Sequence, residues 1–303
     1  MLRYFLKRLG LALVTVALIM TITFWAMNAV PGGPFEREKA PEPRVKAVLE
    51  ARYGLDKPIG QQFVMYVGNV LRGDFGISLK TGREITTTIL TGFKTSAKLG
   101  AMAIVVAVFF GLIFGMTAAL FRNRFPDRLI IFLTTFFVSV PSFVLATLLL
   151  LVFSITLGWI PVWSATDRHM LLPVIALALY PMSYITRLTK SNLLDILGQD
   201  YIRTARAKGV AGWLIVVKHA LRNALIPVIT YLGPLTAYIL TGSLVVETVF
   251  TLGGLGREFI TAILQRDYPL IMGTTIFLSV IMIGMTLLSD LIYKIVDPRI
   301  TFS

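Results

Sequence analysis

The sequence predicts an all-α integral membrane protein: six transmembrane helices, with a long external segment between the first and second. Three observations carry that prediction. Of the 303 residues, 56% are hydrophobic and only 15% charged. The mean hydropathy is +0.78, and charge-free runs of about 20 residues, the length that crosses roughly 30 Å of hydrocarbon at 1.5 Å per residue, recur along the chain. An ordinary soluble domain is far less apolar.

The first run is 9–30, bounded by Arg8 and closed by Pro31-Gly32-Gly33, where a helix stops. Its basic start, Arg3, Lys7 and Arg8, also fits a signal peptide, but the run exceeds a signal's apolar core and no small-x-small cleavage site follows. The second run is 99–121. The third begins at Leu129 in a stretch uncharged as far as Asp167, with Pro141 as a kink, and forms a hairpin with the second. The fourth, 170–186, is short and holds Pro173 and Pro181. The fifth, 223–246, holds Pro227 and Pro234, and the sixth, 269–289, stops at Asp290. The chain thus divides into 1–30, an external segment 31–98, and a five-helix core 99–303 containing a cytoplasmic loop, 187–222. In the external segment, 43–53 and 58–71 carry apolar residues at helical spacing, broken by Gly54 and Gly73-Asp74-Phe75-Gly76. Short helices capping the outer face are expected there, against the alternative of a polar loop.

Lys and Arg total 29 against 16 acidic residues, a net charge of +13. With the N-terminus inside, fifteen of the 29 fall in short cytoplasmic stretches, whereas the short outer loops hold only Arg168, Arg257 and Arg266. That is the positive-inside asymmetry, and it places both termini in the cytoplasm. The excess therefore records topology, and no nucleic acid is implied.

Zero cysteines exclude disulfides and a thiol nucleophile, and two histidines make a His-rich metal site improbable. No ionisable residue lies within the six runs, which argues against intramembrane catalysis and proton relays. No Gly-Lys pair occurs, so there is no phosphate loop, and ATP would have to act through a partner. Gly253-Gly254-x-Gly256 reads as a tight turn. Gly111-x-x-x-Gly115 offers a close-packing face on the second helix.

The loop 187–222 is the most informative stretch. Asp200 reads as a helix N-cap, Gly209 as the stop, and the residues between as a short surface helix. Ile202, Ala205 and Gly209 share a face of small residues where another surface can approach, flanked by Arg203 and Arg206. The alternative is a helix lying on anionic lipid headgroups. A second helical stretch, 214–221, leads into the fifth span.

The run Asp200-Tyr-Ile-Arg-Thr-Ala-Arg-Ala-Lys-Gly209, continued by Lys218-His-Ala-Leu-Arg-Asn-Ala-Leu-Ile-Pro-Val228, resembles the signature of transmembrane subunits of ABC importers in the oligopeptide and dipeptide branch. Further matches run the length of the chain: Met1-Leu-Arg-Tyr-Phe-Leu-Lys-Arg8, Val30-Pro-Gly-Gly-Pro34, Tyr53-Gly-Leu-Asp-Lys-Pro58, Gly73-Asp-Phe-Gly-Ile-Ser78, Gly253-Gly-Leu-Gly256, Arg266-Asp-Tyr-Pro269 and Asp297-Pro-Arg299 all resemble the branch's B-type permease. The broader importer motif has Glu-Ala-Ala six to four residues before its Gly. Here those places hold Arg203, Thr204 and Ala205, and the spacing from Gly209 to Pro227 is longer.

The resemblance implies a multi-pass permease of the bacterial inner membrane that does no chemistry itself. It implies a second homologous permease, two cytoplasmic ATPase subunits holding ATP and magnesium, and an external substrate-binding protein. No cofactor is expected on this chain. Asp200, Tyr201, Arg203, Thr204, Ala205, Arg206, Lys208 and Gly209 would form the coupling helix that sits on an ATPase subunit. Oligopeptides or dipeptides are the expected substrates, since the outer stretch 31–59 looks most like the oligopeptide members. The alternative is a sodium-coupled carrier or a membrane scaffold that works without ATPases.

Overall fold

The computed structural model describes residues 2–29, 57–163 and 169–296. The expected helix over 43–53, the Pro31-Gly32-Gly33 stop, Arg168 and Asp297-Pro-Arg299 lie outside the described residues. The described residues form helices joined by turns and loops, with an isolated antiparallel bridge between Ile77 and Glu84. Among the described residues, five helices are long and apolar enough to cross a membrane, and a bent helix pair is the sixth candidate. The chain divides into two compact units, Met1–Thr95 with Gly253–Ile283, and Ser96–Leu252 with Gly284–Ser303.

In the first unit, α1 (Leu2–Ala29) carries the first apolar run. Leu13 and Ile22 are about two-thirds exposed, as suits a helix facing lipid. The expected helix over 58–71 is α2 (Ile59–Leu71). It packs on α1 through Phe63 and Phe24, ring centres 5.1 Å apart. The turn after α2 carries Gly73 and Gly76 at positive φ. It is fastened by Ser78, whose hydroxyl donates to the Asp267 carboxylate, and by the Leu79 N–H, which reaches Asp267 at 3.1 Å. Two separated stretches of the importer-like pattern, Gly73-Asp-Phe-Gly-Ile-Ser78 and Arg266-Asp-Tyr-Pro269, thus meet. Helix α3 (Ile85–Leu120) starts well before the expected 99, because Lys94 and Lys98 end a charge-free window without ending a helix, lysine being a good helix former. Its Ile85 and Ile89 join the later Leu255, Ala262, Leu270 and Ile271 in this unit's core.

In the second unit, α4 (Phe125–Ser139) and α5 (Ser142–Leu149), the latter extended by a π-helical stretch Leu150–Thr156, form the third apolar segment. Pro141 does more than kink it: the two halves are bent by 106°. A straight hairpin partner for α3 is therefore not formed. Helix α6 (Leu171–Leu197) runs on well past the expected end at 186. Arg187 did not end it because its guanidinium donates to the Thr134 carbonyl at 3.0 Å, and Lys190 bonds Asp127 at 2.5 Å, so both charges are met on α4.

Small residues set the contact between α3 and α6. A Cβ placed on Gly111 would lie 2.8 Å from Ile185 Cγ2, and one on Gly115 2.5 Å from Thr189 Cβ. The Gly-x-x-x-Gly face is thus a packing face, which in lipid is where helix association finds its van der Waals gain. Beyond a short helix α7 (Asp200–Ala207) come α8 (Gly212–Leu214), a π stretch Ile215–Ala220 and α9 (Leu221–Ala224). The fifth span is α10 (Ile226–Leu240) and α11 (Leu244–Val249), interrupted at Gly242, whose φ of 102° only glycine adopts readily.

Back in the first unit, Gly254 is the extended N-cap of α12 (Leu255–Gln265). The tight turn expected over Gly253–Gly256 sits two residues earlier, where Thr251 takes a φ of 53°. The glycines here instead leave backbone near Gly92, whose added Cβ would stand 3.0 Å from the Leu255 nitrogen. Helix α13 (Tyr268–Val296) contains the sixth run.

Candidate functional site

Helix α7 is built as the sequence suggests at its end and differently at its start. Gln199, not Asp200, is the N-cap residue: its backbone is extended, and its carbonyl accepts from Ile202 and Arg203 at 3.1 and 3.2 Å. Asp200 falls one residue too late to cap. Its carboxylate still suits the positive end of the helix dipole and lies 3.6 Å from Arg203, though both side chains are so exposed that the pair adds little stability. At the other end Gly209 has φ of 77°. Its N–H bonds Arg206 at 3.0 Å and the Val210 N–H bonds Ala205 at 3.2 Å, the pair of bonds that defines a Schellman stop.

The small-residue face does not look outward. Ile202 is fully buried and Ala205 nearly so, packed with Ala119 of α3, Leu193 of α6, and Ile215, Ala220 and Ala224. Alanines let the helix backbones approach, so Ile202 acts as a knob in a socket made by this chain itself. Burial of such a side chain contributes about 1.5–3 kcal/mol. The surface left for a partner is the opposite one, where Asp200, Arg203, Thr204, Arg206 and Lys208 are exposed. Tyr201 stands between the two faces: its hydroxyl accepts from Asn223 Nδ2 at 3.0 Å and donates to the His219 carbonyl at 3.4 Å. Gly209 is exposed at the end of the helix.

Beside Arg206 opens a groove of about 670 Å³ walled by Leu120, Phe121, Trp213 and Val217. Trp213 is 68% and Val217 58% exposed. A basic helix face adjoining an apolar groove suits a protein surface with acidic and apolar patches.

Sequence reasoning missed the pairs that tie the second unit together. Asp127, with Lys190 63 positions away, was invisible because neither residue lies in a charge-free window. Glu247 is fully buried and accepts from the Ser96 hydroxyl at 2.7 Å. It sits just past the fifth run's expected end, and an isolated acid inside Val-Val-Glu-Thr-Val was the available signal.

Residues 111–302 match the family model described as binding-protein-dependent transport system inner membrane component, and residues 1–100 match its N-terminal companion. The chain is 48% identical over 302 residues to the dipeptide transport system permease protein DppB of Bacillus subtilis, covering 99% of this chain and 98% of that one. It is 40% identical over 306 residues to the oligopeptide transport system permease protein OppB of Haemophilus influenzae, covering both chains fully. Among solved structures, an amino acid ABC transporter crystallised with histidines superposes with a TM-score of 0.52 at 18% identity, over 71% of this chain and 95% of that one. That likeness concerns the fold alone.

Proposed function

The chain belongs to the family of binding-protein-dependent transport system inner membrane components, and from that premise we propose that it carries oligopeptides or dipeptides, with α7 as its coupling helix. As a member of that family it is a multi-pass membrane permease, a translocation subunit and not an enzyme. It works with a partner permease, ATPase subunits and a substrate-binding protein. The carrier and scaffold readings, which dispense with ATPases, give way to this one. In our reading the assembly has one second permease and two ATPase subunits, with ATP and magnesium held on the latter. Both termini face the cytoplasm, and 31–98 lies outside.

The observation that supports peptides is identity of 40–48% along the full chain to permeases named for dipeptides and oligopeptides. The observation that supports coupling at α7 is its division into an exposed basic face and a buried socket face. An ATPase subunit pressing on Arg203, Arg206 and Lys208 would move Ile202 and Ala205. Because these residues pack on α3, α6 and the stretch leading to α10, three spans would feel one displacement. Gly209 ends the helix so that Val210 can turn back into that core.

The test is charge reversal on the exposed face. The expected result for Arg203→Glu with Arg206→Glu is loss of co-purifying ATPase subunits and of ATP-driven peptide uptake, with the permease still folded. Unimpaired assembly and uptake would remove α7 from the coupling role.

A further inference from the structure

Resting on the importer reading, we propose that a tyrosine-walled cavity in the second unit binds a protonated amino group, that of a peptide's amino terminus in transit. The cavity holds about 590 Å³, within the range of ligand sites. It lies beside the breaks at Pro141 and Ser243, and the in-helix prolines Pro181 and Pro234 line it as well. Discontinuous helices of this kind are where transporters place substrate.

Tyr180, Tyr231 and Tyr238 form its aromatic wall. Tyr180 is nine residues into α6 and Tyr238 twelve into α10, about 14 and 18 Å along helices that cross roughly 30 Å of hydrocarbon. Both are therefore near mid-depth. Tyr180 is 51% and Tyr238 69% exposed, so their rings are open. Among the described residues none of the three hydroxyls is hydrogen-bonded. An unpaired phenol against hydrocarbon is costly, which favours a polar occupant over lipid. Pro181 supplies no N–H to the carbonyl of Leu177, and Leu177 also lines the cavity, adding a backbone acceptor.

No residue lining the cavity carries an ionised side chain. A carboxylate entering it meets no cation. An ammonium meets three tyrosine side chains and neutral oxygens, groups that attract cations without a counter-charge. A fixed carboxylate would hold the amino group too tightly for a passage, where binding must be strong enough to admit and weak enough to release.

The sequence has no cysteine, so a single Ser142→Cys change at the cavity wall gives a clean reporter. In the assembled permease–ATPase complex without the binding protein, its labelling by a neutral maleimide is timed with trialanine amide and with N-acetyl-trialanine amide. The free amine is expected to protect at roughly 2- to 30-fold lower concentration, the equivalent of about 0.5–2 kcal/mol of cation–π attraction. Combined Tyr180→Leu and Tyr238→Leu should abolish the difference, while Tyr180→Phe, which keeps the ring, should retain it. Equal protection by both peptides overturns ammonium recognition. Protection by neither, while ATP-driven uptake of trialanine amide continues in the full importer, overturns the site. Amine-selective protection in an importer that takes up neither peptide supports the cavity and counts against the peptide reading, so the two can fail separately.

Discussion

Gly115 is the residue on which the α3–α6 contact turns. A valine there would put its Cβ 2.5 Å from Thr189 and 2.7 Å from the Thr186 carbonyl, and a helix backbone cannot rotate away. Gly115→Val should therefore destabilise the fold by about 1–3 kcal/mol, as overpacking does. A lowered midpoint in a thermal-unfolding assay of the detergent-solubilised protein would register it. Gly10→Val, where an added Cβ meets nothing within 4 Å beyond its own helix backbone, is the matched control and should be neutral. The pair Lys190–Asp127 makes a different prediction. Asp127 is buried and Lys190 about one-fifth exposed, so Asp127→Leu leaves a largely buried ammonium unpaired. The cost should approach, and stay below, the roughly 3–5 kcal/mol of a fully buried broken pair. The double variant Asp127→Leu with Lys190→Leu should recover most of it; additive losses in the same assay would mean that the two charges do not depend on each other. The glycine pair was legible because its spacing is local. The ion pair was not, because a contact across 63 positions leaves no periodicity in one sequence.

At the scale of the element, α7 shows where reading stops. Its existence, its length and its stop at Gly209 follow from local chemistry: helix formers followed by a residue that accepts positive φ. Its orientation does not follow, because a face of Ile and Ala is as suited to the chain's own alanine socket as to a foreign surface. Only the alanines at 119, 220 and 224, brought together by the fold, decide it. The same limit applies to Pro141, whose break was legible and whose 106° angle was not. The socket carries its own prediction. Ile202→Ala removes the knob and should loosen α7 by about 2–5 kcal/mol, the range for burying too little in a formed site. ATPase subunits, which in our reading bind the opposite face, should still co-purify, while peptide taken up per ATP hydrolysed should fall. An unchanged ratio would mean that force does not pass through Ile202.

For the whole molecule the open question is whether the chain crosses six times, and the bent pair α4–α5 decides it. Each arm, at about 15 residues, is about 22 Å long, too short to cross alone. Bent by 106°, the two leave their ends about 27 Å apart, close to the thickness of the hydrocarbon, if that end-to-end line runs along the membrane normal. Geometry thus permits both a chevron that crosses and a re-entrant loop that returns. The charges separate them. Were the pair re-entrant, Arg122, Arg124 and Arg128 would stand on one side of the membrane and, after α6 crosses, Arg203, Arg206, Lys208 and Lys218 on the other. That would split the positive residues across the two faces, against the positive-inside tendency. A crossing chevron places both groups inside. In the cysteine-free chain, Trp159→Cys should then react with a membrane-impermeant maleimide added outside intact cells, and Asn123→Cys and Lys208→Cys only after permeabilisation. If Trp159→Cys and Asn123→Cys instead share one side, the pair does not cross, the termini fall on opposite faces, and α7 can no longer share the cytoplasm with the arginines that precede α4.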